Sequence, residues 1–437
     1  MFPLGSGHHD SAADLYRWAT DLFPIARSIT GEGTRQTLNY VKNLLPDLKI
    51  HEISSGKTVL DWTIPKEWNI KTAYIKDQSG KKVVDFAENN LHVVGYSKPV
   101  DIVLSRDELE QHLYSLPLKP NWVPYVTSYY KESWGFCLSE EQRSNLGNGP
   151  FHVYIDATIQ SGSMSYADLV IKGSSKKEIL FTTYVCHPSM ANNELSGPIV
   201  AIALARWIAS QPNRKYTYRF VFAPETIGAI TYIAQKRRRL KRRTYAAWVL
   251  TCMGDDRTYS YLPPRIQGSP VDIISRKVLK DLKLSFEEYS FLDRGSDERQ
   301  YSWPGVDLPI ASIMRSKYHT YPEYHTSADD LDFISESGLD GSLTVMKNCI
   351  SYLENNLTPK STTYGEPNLG KRDLYPLINK VNQRAATPDL LNFLIYSDGH
   401  SNLWEISESI GLTFDETLLL YKSAELHGLA KRNKRGK

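Results

Sequence analysis

The stretch Ile179-Leu180-Phe181-Thr182-Thr183-Tyr184-Val185-Cys186-His187-Pro188-Ser189-Met190-Ala191-Asn192-Asn193-Glu194-Leu195-Ser196-Gly197 decides the fold. Its apolar opening is the kind of run that a parallel sheet buries on both faces. A polar, acid-bearing loop follows, and the apolar pattern from Pro198 to Ile208 reads as a helix opened by the Ser196-Gly197 pair. A histidine therefore stands at the carboxyl end of a central strand, the edge where open α/β sheets bind ligands. An imidazole with a carboxylate or amide close by is also a donor set for a borderline metal ion.

The same texture continues outward. Strands are expected at 152–154, 167–171, 179–185, 216–223, 245–251 and 308–314, with helical patterns at 198–210, 228–240, 271–282 and 336–355. Such alternation predicts an α/β fold, a mixed, mostly parallel sheet covered by helices. Upstream, 12–22 and 33–45 read as amphipathic helices. Between 61 and 144 short alternating strands take over, and Asp77-Gln78-Ser79-Gly80 joins two of them as a hairpin turn. Residues 356–370 read as a linker. Beyond it, three helical segments, opened at Thr387-Pro388-Asp389 and Ser401 and stopped at Gly411 and Gly428, have winged-helix spacing. The expected divisions are 11–65, the N-terminal part of the α/β domain; 66–148, a small β-rich insertion; 149–356, the rest of the α/β domain; and 371–437, a winged-helix-like domain.

Composition bounds the function. The chain has 437 residues, 41% hydrophobic and 23% charged, which describes a globular protein of more than one core. No run of about 18 apolar residues suggests a membrane partner. The N-terminus has no charged-then-apolar signal pattern, and Cys137, Cys186, Cys252 and Cys349 are widely spaced beside apolar residues. The expectation is reduced thiols in a cytoplasmic protein. A formal charge of +3 implies no nucleic-acid partner for the whole chain. The basic run Lys236–Arg243 reads as the solvated end of a helix. In the winged helix, Asp415, Glu416 and Glu425 stand beside Lys422 alone, while Lys431, Arg432, Lys434, Arg435 and Lys437 make only the tail basic. That balance favours a protein-contact or dimerisation role, hence a homo-oligomer, over DNA binding.

Four strand ends each deliver polar groups: His187 with Asn193 and Glu194; Glu225; Asp255; and His325. Parallel strands point the same way, so these groups converge. Metal catalysis needs two or three N/O ligands, an open position for water, and a carboxylate to take that water's proton. His187, Glu194 or Asn193, Asp255 and His325 are the candidate ligands and Glu225 the candidate base. Tyr125, Tyr129, Tyr130, Trp134, Glu67 and Asn69 are candidate cleft residues, and Arg294 and Arg315 could take a substrate carboxylate.

Cys186–Gly197, Ala223-Pro224-Glu225-Thr226-Ile227-Gly228 and Tyr324-His325-Thr326-Ser327-Ala328-Asp329-Asp330 carry a resemblance to the co-catalytic zinc aminopeptidases. With Asp61–Asn69, they resemble more closely the bacterial aminopeptidase-like proteins that have a β-rich insertion and a C-terminal winged helix. The resemblance covers essentially the whole chain. It implies that His187 and Asp255 hold one metal, that Glu225 is the general base, that His325 binds the second metal, and that Ser296-Asp297 lies near the substrate pocket, with Tyr324 and Arg294. The family's bridging Asp falls on Asn193, and the second Glu of its Glu-Glu pair on Thr226. Two dications need several carboxylates to offset their repulsion. The expectation is therefore one zinc ion and an aminopeptidase-like hydrolase of peptide or amide bonds. The alternatives are a single-metal amidase or acyltransferase on a sugar or metabolite, or a non-catalytic regulator.

Overall fold

The computed structural model describes residues 8–372, 374 and 386–433. It divides into two compact units, one of 5–279 with 284–347, the other of 280–283 with 348 onward.

The larger unit is built on an eight-stranded sheet. In spatial order its strands are Lys49–Ser54, Ser163–Ile171, Thr217–Ala223, Glu178–Tyr184, Thr244–Val249, Ile310–Met314, Tyr259–Leu262 and Phe286–Glu288. The four from Thr217–Ala223 to Ile310–Met314 are mutually parallel. Every residue of Glu178–Tyr184 and Thr217–Ala223 is buried, as helices on both faces require. The helix Ile227–Arg243 follows closely on the strand Thr217–Ala223, and Ser196–Ser210 follows Glu178–Tyr184 after an eleven-residue connection. Gly197 lets the latter helix sit hard against the sheet: a Cβ there would lie 2.2 Å from the carbonyl oxygen of Leu250. The expected elements thus form, most within two residues of their expected ends.

Two polar residues inside this sheet need partners. Arg219 donates to Glu178 and Asp168, and Arg239 and Arg243 reach the same Glu178 from the end of the Ile227–Arg243 helix. The basic run is thus a helix end, partly consumed in neutralising a buried carboxylate.

A second sheet is antiparallel throughout, in the order Lys82–Asp85, Glu67–Lys76, Phe151–Gln160, Val100–Leu104. Asp77 accepts from the backbone N–H of Ser79 and Lys81 and closes the expected hairpin. Residues 152–154, expected in the α/β sheet, belong here instead. Trp68, Ile75 and Val153 share one hydrophobic cluster with Leu180, Tyr184 and Val221, while Leu91, Val94, Val123 and Cys137 form a smaller one with Met190.

The smaller unit holds the helices Ala386–Tyr396, Leu403–Ile410 and Phe414–Leu426, and a two-stranded wing of Pro359–Ser361 against Ala430–Arg432. Asn402, rather than Ser401, caps the second helix, and Gly411 closes it in the left-handed region. The side chain of Thr387 and the basic residues Lys434, Arg435 and Lys437 lie outside the described residues. No described helix is long and apolar enough to cross a membrane, and Cys137, Cys186, Cys252 and Cys349 are all buried free thiols.

Candidate active site

His187 follows the Glu178–Tyr184 strand by three residues and is buried. Its two ring nitrogens face different surroundings. Nδ1 lies 2.7 Å from Glu194 Oε2. Glu194 reaches it from a single π-helical turn, Ala191–Leu195, inserted before the next helix, a feature common at functional sites. The other Glu194 oxygen accepts from the Cys186 N–H. Behind it stands Arg27, 3.6 Å away, with both side chains fully buried. Arg27 also donates from Nε to the His187 carbonyl (2.9 Å) and from Nη1 to the Leu22 carbonyl (2.7 Å). This side of His187 is closed and charge-balanced, with Arg27 Nη2 alone lacking a hydrogen-bond partner among the described residues.

The Nε2 side is different. Glu225 Oε2 lies 3.7 Å from His187 Nε2. The His325 ring centre is 5.3 Å from that of His187, and the Tyr125 ring is 5.2 Å from both. Tyr324 stacks on His325 at 3.9 Å. His325 Nε2 and Asn193 Oδ1 are buried without a hydrogen-bond partner. Native interiors seldom tolerate such atoms unless something binds them.

Backbone strain gathers here. Ser189, Thr226, Cys252 and His325 have φ of 39°, 62°, 52° and 56°, left-handed values that cost L residues about 1–3 kcal/mol each. Thr226 is held by Asp297, which accepts its N–H at 2.8 Å, and by Arg299, which donates to its hydroxyl at 3.0 Å. Those two bonds fix the loop that presents Glu225.

Burial shapes the electrostatics. It raises the Glu225 carboxyl against the opposing pull of His187 and Arg299. It raises Asp297 well above the carboxylate range, with Glu225 adding repulsion. Burial and then the neighbouring His187 push His325 down to about 2, so its imidazole is neutral and free to be a ligand. Burial opposes charge on His187, but Cys186 and Glu194 beside Nδ1 outweigh it and raise the group.

Two expected ligands have other work. Asp255 was expected on a metal, but its oxygens accept from Asn192 Nδ2, the Ser316 N–H and hydroxyl, and the Arg257 N–H. It ties three segments together. Glu194, the other, bonds to Cys186 and His187. Cys186, His187 and Glu194 do form a group close enough to hold a metal ion. Burial pushes the Cys186 thiol up to about 11, however, and a thiol that keeps its proton is a poor ligand. His187 Nε2 and His325 Nε2, with Glu225 at hand, are the groups on this side that could hold a metal ion.

Of the other expected residues, Asp297 and Tyr324 are at the site, through Thr226 and His325. Arg294 is exposed and lies over its own neighbour Phe291 at 5.1 Å. Arg315 braces the Asp255 carbonyl. Among the aromatic candidates Tyr125 reaches the two histidines and Tyr129 bonds to its hydroxyl, whereas Tyr130 packs on Trp62 and Trp134 on His112. Glu67 pairs with Arg35, and Asn69 accepts from the Glu32 N–H. Arg27, Arg299, Asn192 and Asp329 were missed. Asp329 takes the N–H groups of both Asn192 and Asn193 and so shapes the π-turn.

Comparison with known proteins fits this geometry. The model of the family described as "Domain of unknown function (DUF4910)" matches residues 16–356. The chain belongs to the DUF4910 family. A winged helix-turn-helix family matches 357–432. A Clostridium acetobutylicum protein named "Putative polysaccharide biosynthesis protein with aminopeptidase-like domain" is 41% identical over 411 residues, 93% of each chain. A crystal structure of a "putative peptidase" from Clostridium acetobutylicum is 39% identical, covers 96% of each chain and has a TM-score of 0.90. A zinc aminopeptidase from Bacillus subtilis is 13% identical over 78% of this DUF4910 chain and 95% of its own, with a TM-score of 0.57. At that identity the likeness is one of fold. The fold is thus aminopeptidase-like, a mixed α/β sheet with a C-terminal winged helix.

Proposed function

We propose that the protein is a metal-dependent hydrolase of amide bonds, with one zinc ion held by His187 Nε2 and His325 Nε2 and with Glu225 as general base. The observation that carries this reading is the approach of Glu225 Oε2 to within 3.7 Å of the buried His187 Nε2, with the His325 ring centre 5.3 Å from that of His187, beyond the carboxyl edge of the parallel strands. Zinc bound there would make a coordinated water acidic and polarise the amide carbonyl. Glu225, its basicity raised by burial, takes a proton from water and returns it to the leaving nitrogen. Glu194 and Arg27 hold His187 in the tautomer whose Nε2 is free. Tyr125 and Tyr324 wall the site against bulk water.

Metal analysis of the purified full chain, with His187→Ala, His325→Ala and Glu225→Gln, tests the assignment. The two histidine variants should lose bound zinc. Glu225→Gln should keep zinc and lose turnover of amide substrates. Loss of zinc from Glu225→Gln would make Glu225 a ligand and leave the site without a base. The buried thiols suit a reducing compartment, so we place the protein in the cytoplasm. For the winged helix we infer a protein contact, because Asp415 and Glu416 open its third helix.

A further inference from the structure

Resting on the hydrolase reading, we propose that the substrate is an N-acyl amino acid, with Arg299 binding its free carboxylate. An aminopeptidase substrate brings an ammonium group to the scissile bond, and an ammonium needs a carboxylate to meet it. Among the described residues, most of the carboxylates carried in by the elements of this site are almost fully buried. Glu194, Asp255, Asp297, Glu298 and Asp329 are at most 1% exposed. Glu194, Asp255 and Asp329 are spent on inward hydrogen bonds, as described. Glu298 takes the Gly295 and Ser296 N–H groups and the Tyr318 hydroxyl. Asp297 holds the Thr226 N–H through Oδ1, and its Oδ2, like Glu298 Oε2, lies buried without a partner among the described residues.

Glu225 is the exception, with 22% of its side chain exposed, and beside it stands a cation. Arg299 Nη2 lies 3.7 Å from Glu225 Oε1, and the Arg299 side chain is 38% exposed. Its position is fixed by bonds from Nε to the Ser296 carbonyl (2.9 Å) and from Nη2 to the Thr226 hydroxyl (3.0 Å). Among the described residues nothing accepts from Nη1. A pre-positioned guanidinium repels a free α-ammonium and suits a carboxylate, which it can bind through two parallel hydrogen bonds. In the reaction the acyl carbon–nitrogen bond breaks. Water supplies the hydroxyl to the acyl carbon and a proton to the amine, and the released amino acid keeps its carboxylate on Arg299.

The test uses the zinc-loaded full chain and three matched panels: N-acetyl-amino acids, the corresponding N-acetyl-amino acid amides, and amino acid amides with a free amine. Turnover is followed by amine or ammonia release, and binding of the N-acetyl-amino acids to metal-free protein by calorimetry. The expected result is a preference for the N-acetyl-amino acids over their carboxamides of about ten- to hundredfold, mostly in KM. Arg299→Gln should reduce that preference to about twofold and weaken calorimetric binding equally. Arg299→Lys, which keeps the charge but not the fork, should fall between. An unchanged melting temperature in Arg299→Lys separates loss of recognition from loss of the Thr226 loop. Faster turnover of the free-amine panel, or an undiminished preference in Arg299→Gln, would overturn the inference while leaving the hydrolase reading intact. Neither binding nor turnover of any panel would remove both.

Discussion

The two faces of His187 are built on opposite principles. On the Nδ1 face the charges are paired: Glu194 meets Cys186, His187 and Arg27, and neither Glu194 nor Arg27 is exposed, although Arg27 Nη2 has no hydrogen-bond partner among the described residues. On the Nε2 face, His325 Nε2 has no partner among the described residues and Glu225 is half-buried. The first face therefore orients the imidazole, and the second is where a ligand completes the bonding. A carboxylate bonded to the far nitrogen of a ligating histidine is a common way of fixing that ring.

The largest expected effect breaks the open face. Glu225→Gln should lower amide turnover by about 10²–10⁴-fold while melting and zinc content stay unchanged; a variant with full activity would remove Glu225 from the reaction. Next comes the closed face. Arg27→Met leaves the Glu194 charge buried and unpaired, and should cost about 3–5 kcal/mol of stability by denaturant unfolding. Combining it with Glu194→Gln should recover part of that loss. If Arg27→Met unfolds at the wild-type midpoint, the closed face is not charge-balanced as described.

Asp255→Ala sharpens the boundary between bracing and binding. It orphans donors from Asn192, Ser316 and Arg257 and should cost about 1–3 kcal/mol without loss of zinc. Zinc loss would return Asp255 to the ligand set. The smallest effect lies outside the site. Glu67 is drawn down to about 2, chiefly by its hydrogen bonds from Arg35. A depressed carboxyl stabilises the fold above its unfolded pKa of about 4.5, and that contribution fades as pH falls through about 2. Stability of the wild type should fall more steeply than that of Glu67→Gln between those limits, with activity at neutral pH alike in both.

Much of this was legible in the residues because it is local. The apolar runs at 179–185 and 216–223 need burial on two faces wherever they occur, and they form the parallel centre of the sheet. Their polar successors His187 and Glu225 must then share an edge. The strand at 152–154 went to the other sheet because its partners, 67–76 and 100–104, precede it in the chain and pair with it antiparallel. Nothing in its own composition distinguishes the two destinations.

The sequence by itself determined the architecture, the winged helix at the end, and the identity of the groups brought to the sheet edge. Only the tertiary structure decided which of those groups face inward. Glu194 turns to Arg27, and Asp255 to Ser316 and Asn192, through bonds between segments 60 or more residues apart. Periodicity and spacing report on neighbours along the chain. Whether a carboxylate braces a loop or meets a ligand depends on which distant donor reaches it first.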